Sequence, residues 1–164
     1  MARYDASSAE IAVFTFKEGL LSAIAHDLKL RATKFTLDVE GTTAKLELDS
    51  RSLRVVTAMK DGVETPSAIS PSKFGEIEQN AADDVLQVKR FPSIQFVTTQ
   101  VTEREVVGRL TLHGQTHDVR GTRSGNSAEF RIDQRTFGIK PFSAILGALK
   151  VKPELTVRVT LKNP

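Results

Sequence analysis

Leu155-Thr156-Val157-Arg158-Val159-Thr160-Leu161-Lys162 alternates apolar and polar residues without a break. Side chains on a β-strand point to opposite faces in turn, so this stretch predicts a strand with one buried and one wet face. The same period recurs upstream. Leu28, Leu30 and Ala32 alternate with Lys29 and Arg31; Phe35, Leu37 and Val39 with Thr36 and Asp38; Ala44, Leu46 and Leu48 with Lys45 and Glu47. Ile94, Phe96 and Thr98, then Gly108, Leu110 and Leu112, then Ala128, Phe130 and Ile132 continue the series. The segment from Ile11 to Phe16 is apolar on both parities, with Ile11 and Val13 on one and Phe14 and Phe16 on the other. One-sided alternation of this kind belongs to antiparallel sheets.

The punctuation agrees. Gly125-Asn126 sits between two alternating runs, as a two-residue hairpin turn does, and Gly41 and Gly114 fall at similar breaks. Between Met59 and Ile69 the chain reads as a loop. Ser70-Pro71 then sets an N-cap and a first-turn proline, and Phe74, Ile77, Ala81 and Val85 follow at helical spacing. The expectation is an all-β fold, an antiparallel barrel of about eight strands, with one inserted amphipathic helix at about 71–86. A short helical or turn segment is expected at 142–149. No repeat or linker interrupts the chain, so residues 1–164 are read as a single domain.

Composition narrows the function. The 164 residues carry a net charge of +3, with basic and acidic residues interspersed, and the aromatics are nine Phe, one Tyr and no Trp. Nucleic-acid binders usually show a basic stripe with exposed stacking aromatics, which is not the pattern here. Cysteine is absent, which excludes disulfides, a thiol nucleophile and a Cys-ligated metal. No apolar run approaches the length of a membrane span. The start, Met1-Ala-Arg-Tyr-Asp, has no basic segment followed by an apolar one, and a cytoplasmic location is expected.

Candidate chemistry is sparse. His26, His113 and His117 could in principle hold zinc, but His113 and His117 straddle a predicted turn at Gly114, where helical spacing does not apply. His26-Asp27 with Ser22 could imitate a hydrolase triad, yet neighbouring residues on a strand face opposite ways, and no nucleophile elbow is present. Glycines are scattered singly, so there is no phosphate loop, and neither a metal nor a cofactor is expected. The long, Phe-rich and nearly charge-free apolar faces fit a filled core or a ligand cavity, and lean toward the cavity.

Three segments carry a more specific signal: Asp84-Val-Leu-Gln-Val-Lys-Arg-Phe-Pro-Ser-Ile-Gln-Phe96, Val107-Gly-Arg-Leu-Thr-Leu-His-Gly-Gln-Thr116 and Ile132-Asp-Gln-Arg-Thr-Phe-Gly138. In order and spacing they resemble the YceI-like family, most strongly from about Ser70 to Ile139. That resemblance implies a lipocalin-like antiparallel barrel binding a polyisoprenoid or another long amphiphile; it does not imply an established catalytic activity, and no enzyme is expected. Leu86 stands where an aromatic is common in the family, and His26-Asp27-Leu28 matches its second-strand motif only loosely. Pro92, His113, Gly114 and Thr116 are expected to be structural.

The expected ligand-lining set is Phe14, Phe16, His26, Leu28, Leu30, Phe35, Leu37, Phe96, Leu110, Leu112, Phe130, Ile132 and Val157. Ile11 and Val13 are the alternative inward face of the first strand. His26, Arg90 or a nearby Lys is expected to meet a polar head. Two other readings stand beside the carrier: an adaptor barrel with a protein partner, such as a homodimer, and a small-metabolite enzyme using His26 or His117 as acid–base.

Overall fold

The computed structural model describes residues 1–19 and 25–162. Ser22 lies outside them. The strands are β1 (Ala2–Tyr4), β2 (Ala9–Thr15), β3 (Lys17–Glu18), β4 (Asp27–Ala32), β5 (Phe35–Glu40), β6 (Thr43–Asp49), β7 (Leu53–Lys60) and β8 (Val63–Glu64). They continue as β9 (Ser93–Val101), β10 (Glu105–Leu112), β11 (Gln115–Ser124), β12 (Ser127–Asp133), β13 (Ser143–Ala144), β14 (Leu149–Val151) and β15 (Glu154–Leu161). The fold is all-β with one short helix.

Twelve strands form one antiparallel sheet, in the order β1-β5-β6-β9-β10-β11-β12-β15-β2-β4-β7-β8. A second sheet joins β13, β14 and β3. Where about eight strands in a closed barrel are expected, the ladders number more strands, and β1 and β8 end the large sheet unpaired with each other. The cause lies in two corners. The chain bends at Thr33–Lys34 and at Ser50–Ser52, and each bend cuts a long alternating run into two strands. The corners are bonded to each other: Thr33 N donates to Ser52 O at 2.9 Å and Asp49 N donates to Lys34 O at 3.0 Å. Thus β4 pairs with β7 while β5, on the other side of the bend, pairs with β6.

The turns are those the glycines announce. β11 and β12 are joined by Gly125-Asn126 alone, and β10 and β11 by His113-Gly114, which take φ of 55° and 75°. Two successive positive φ values suit the right-handed twist of a hairpin. The expected short segment at 142–149 is a turn: Ile145–Gly147, where Leu146 adopts φ 52°, links the two short strands β13 and β14.

The helical segment begins at Pro71 as expected, with a tight turn at Pro71–Lys73, an α-helix α1 (Phe74–Asn80) and a widened turn at Ala81–Val85. Ser70 has the extended backbone of an N-cap, but its side chain accepts no capping bond. Instead the helix is fastened to the sheet. Val55 N, on β7, donates to the Glu78 carboxylate at 2.8 Å.

Two apolar clusters pack the interior. One gathers Ala9, Ile11, Ala32, Phe35, Leu37 and Leu48; the other gathers Val106, Leu110, Phe130, Ile132, Phe137 and Ile139. Between and beside them the interior is open.

Candidate functional site

The apolar faces of the sheet surround a cavity of about 440 Å³. β2 contributes Ile11, Val13 and Thr15; β4 contributes Leu28 and Leu30; β6 contributes Leu46 and Leu48. Ile94 and Phe96 line it from β9, Leu110 and Leu112 from β10, Phe130 and Ile132 from β12, and Leu155, Val157 and Val159 from β15. The helical segment closes one side with Ile77, Asn80, Ala81 and Val85, followed by Leu86. Val85 and Leu86 are neighbours in sequence, and both reach the cavity where the helix widens.

Polar lining is confined to a few positions: Thr15, Lys17, His26, Asn80, Gln134 and Lys150. Lys17 and Lys150 come from the small sheet, on β3 and β14, and His26 directly precedes β4. No acidic side chain lines the cavity among the described residues. The main-chain N–H of Lys17 donates to Asp27 Oδ1 at 2.7 Å, which ties the start of β4 to β3. Gln134, 4% exposed, donates through Nε2 to Lys152 O at 3.2 Å.

A second cavity of about 360 Å³ adjoins the first, toward the turns at Gly41–Thr43 and Gly125–Ser127. Leu37, Val39, Ala44, Thr98, Val101, Val106 and Arg123 line it. Ile11, Leu46, Phe96, Phe130 and Val159 border both cavities.

Of the expected lining set, the structure brings His26, Leu28, Leu30, Phe96, Leu110, Leu112, Phe130, Ile132 and Val157 to the first cavity, and Leu37 to the second. Phe14, Phe16 and Phe35 are corrections. β2 turns Ile11 and Val13 inward, so Phe14 faces out, where the Arg158 guanidinium covers its ring. Phe16 follows the same parity and lines neither cavity. Phe35 is 5% exposed and packs into the solid cluster beside the first bend. Arg90 also lies apart, stacked on Phe91 at 5.0 Å from the ring centroid.

Sequence reading passed over Leu46 and Leu48, whose alternation on β6 was visible, and the helix residues Ile77, Ala81 and Val85, whose spacing was also visible. Lys17 and Lys150 carried no signal, because each depends on a two- or three-residue strand.

Among the described residues no three metal-binding side chains come together. His117 is exposed and meets the Phe137 ring edge-on at 5.1 Å. His113 Nδ1 lies 3.2 Å from Phe137 O, and Nε2 lies 3.1 Å from Gln87 Oε1. Its ring packs on Phe91 at 4.4 Å. A Cβ at Gly114 would fall 2.6 Å from Phe91 Cε1, and one at Gly138 would fall 2.5 Å from Gln115 Nε2. The three signal-bearing segments therefore meet in one knot outside the cavity. The Thr116 hydroxyl lies 2.8 Å from the Thr111 hydroxyl, across the same hairpin.

An open apolar cavity within an antiparallel sheet, with cationic and polar groups at restricted positions, defines a β-domain built around internal space. The model of the YceI-like domain family matches residues 4–163, and the chain belongs to that family. It is similar to a polyisoprenoid binding domain from Saccharophagus degradans implicated in plant cell wall breakdown, with 9% identity, 93% of this chain and 94% of that one covered, and a TM-score of 0.44. It is also similar to the Campylobacter jejuni YceI protein, with 12% identity, 83% and 86% covered, and a TM-score of 0.48. No curated protein matches the sequence. No helix among the described residues is long and apolar enough to cross a membrane.

Proposed function

We propose that this protein is a non-catalytic carrier or sensor of a long apolar amphiphile, a polyisoprenoid being the leading class. The observation that carries the reading is the first cavity: a wall of Leu, Ile, Val and Phe with few polar positions and no carboxylate among the described lining residues. Burial of a hydrocarbon chain there contributes about 25 cal/mol per Å² of apolar area, less the cost of ordering a flexible tail. Lys17 and His26 suit a polar or anionic head. In this reading the chain is one domain, its bent strands β4–β5 and β6–β7 act as single staves of an eight-stave barrel, and it works in the cytoplasm.

No catalytic step is assigned to His26 or His117. The test is native mass spectrometry of the purified protein, followed by organic extraction. A stoichiometric isoprenoid, quinone or fatty chain is the expected result. A clean mass, with no uptake of offered prenyl lipids, would remove the carrier reading and favour an adaptor barrel.

A further inference from the structure

We propose that Phe96 and Phe130 form a waist that sets how long a chain the first cavity accepts; this rests on the carrier reading. Both rings border both cavities, so they stand between the two chambers. Their centroids are 5.5 Å apart and their planes meet at 72°, an edge-to-face pair. Such pairs add cohesion beyond their buried area, so the two rings hold each other across the interior.

The sheet is shaped to seat them. Gly121 is the register partner of Phe130 across β11 and β12, and a Cβ there would fall 2.6 Å from Phe130 Cδ1. Phe96 is paired with Leu110 and lies over Gly108, two residues along the same strand, where a Cβ would fall 2.5 Å from Phe96 Cε2. Neither glycine needs positive φ. Their missing side chains are explained by the rings that occupy the space. Each ring thus reclines on the wall and presents its edge to its neighbour.

A chain entering beside Lys17 and Lys150 meets this pair before it reaches the chamber at Gly41–Thr43. Chain beyond the waist makes no added contact in the wild type. Removing a ring joins the chambers, and each further methylene then gains about fourfold in affinity until the joined space is filled.

The test measures displacement of N-phenyl-naphthylamine by geraniol, farnesol, geranylgeraniol and solanesol, for wild type, Phe96→Ala and Phe130→Ala. Phe96→Leu, which removes the ring while keeping apolar bulk, covers the case in which alanine unfolds the sheet; circular dichroism reports folding. Wild-type affinity is expected to rise with chain length and then level off. The folded variants are expected to keep rising with chain length, binding a chain one isoprene longer than the wild-type limit at least about tenfold more tightly. A wild type that gains with every isoprene up to solanesol overturns the waist, as does one shared length profile for wild type and folded variants. Both results leave the carrier reading standing. A wild type that binds none of the four overturns both.

Discussion

The guanidinium carbon of Arg158 lies 5.0 Å above the ring centroid of Phe14, on the outer face of the sheet. Arg158 is in turn held by Glu129, whose Oε2 accepts from its Nε at 3.2 Å. The outward parity of β2 is therefore covered by a charged neighbour on β15 instead of by the core. Phe14→Ala is expected to lower stability by about 2 kcal/mol, less than a fully buried ring, and to leave lipid uptake unchanged. Val13→Asp, one residue away, is expected to abolish uptake. Urea unfolding and probe binding on the two variants check this directly.

Gly121→Ala is expected to destabilise by about 1–3 kcal/mol, because its Cβ meets both Phe130 and the Glu129 carbonyl oxygen at 2.7 Å. Gly125→Ala offers a contrast, since nothing lies within 4 Å of its Cβ and only its φ of 59° resists the change. Thermal melts of the two variants separate crowding from backbone conformation.

His113→Ala is expected to cost about 1–3 kcal/mol by stranding the Phe137 carbonyl and the Gln87 side chain and by exposing Phe91. Lipid uptake should survive at temperatures where the variant is folded, because His113 lines neither cavity. Unfolding curves with and without bound probe distinguish the two effects.

Stability is expected to fall in acid partly through Asp133. Its carboxylate accepts from the Arg135 side chain at 2.8 and 3.1 Å and from the Arg135 N–H at 2.9 Å, which holds its pKa below the usual carboxylate value. A lowered folded pKa means the contribution is present above the ordinary value near 3.8 and is lost as pH falls through the folded one. The pair is exposed, so the contribution is small. Asp133→Asn should flatten that part of the stability–pH curve.

Lys17→Ala is expected to weaken binding of an anionic prenyl phosphate several-fold while sparing the corresponding alcohol. The difference should shrink at high salt, as it does for partly exposed charges. Competition binding at two ionic strengths reads it.

Much of this was legible because period-two alternation survives wherever one face is buried, as on β15, β12 and β6. It failed on β11, where Gln115-Thr-His-Asp118 is exposed on both parities, and on β2, where both parities are apolar. The corners at Thr33–Lys34 and Ser50–Ser52 left no periodic mark, since each is only a pause between two good strands. The cavity's chain-facing wall followed from the stripes. Its cationic members did not, because Lys17 and Lys150 belong to strands too short to show a period.

Glu78 fastens α1 to β7 through the main-chain N–H of Val55, on a strand that only the two-residue β8 flanks on its far side. An unsatisfied N–H along a sheet border invites another chain to pair there. Any movement that lifts the helix from the cavity uncovers that donor at the same moment.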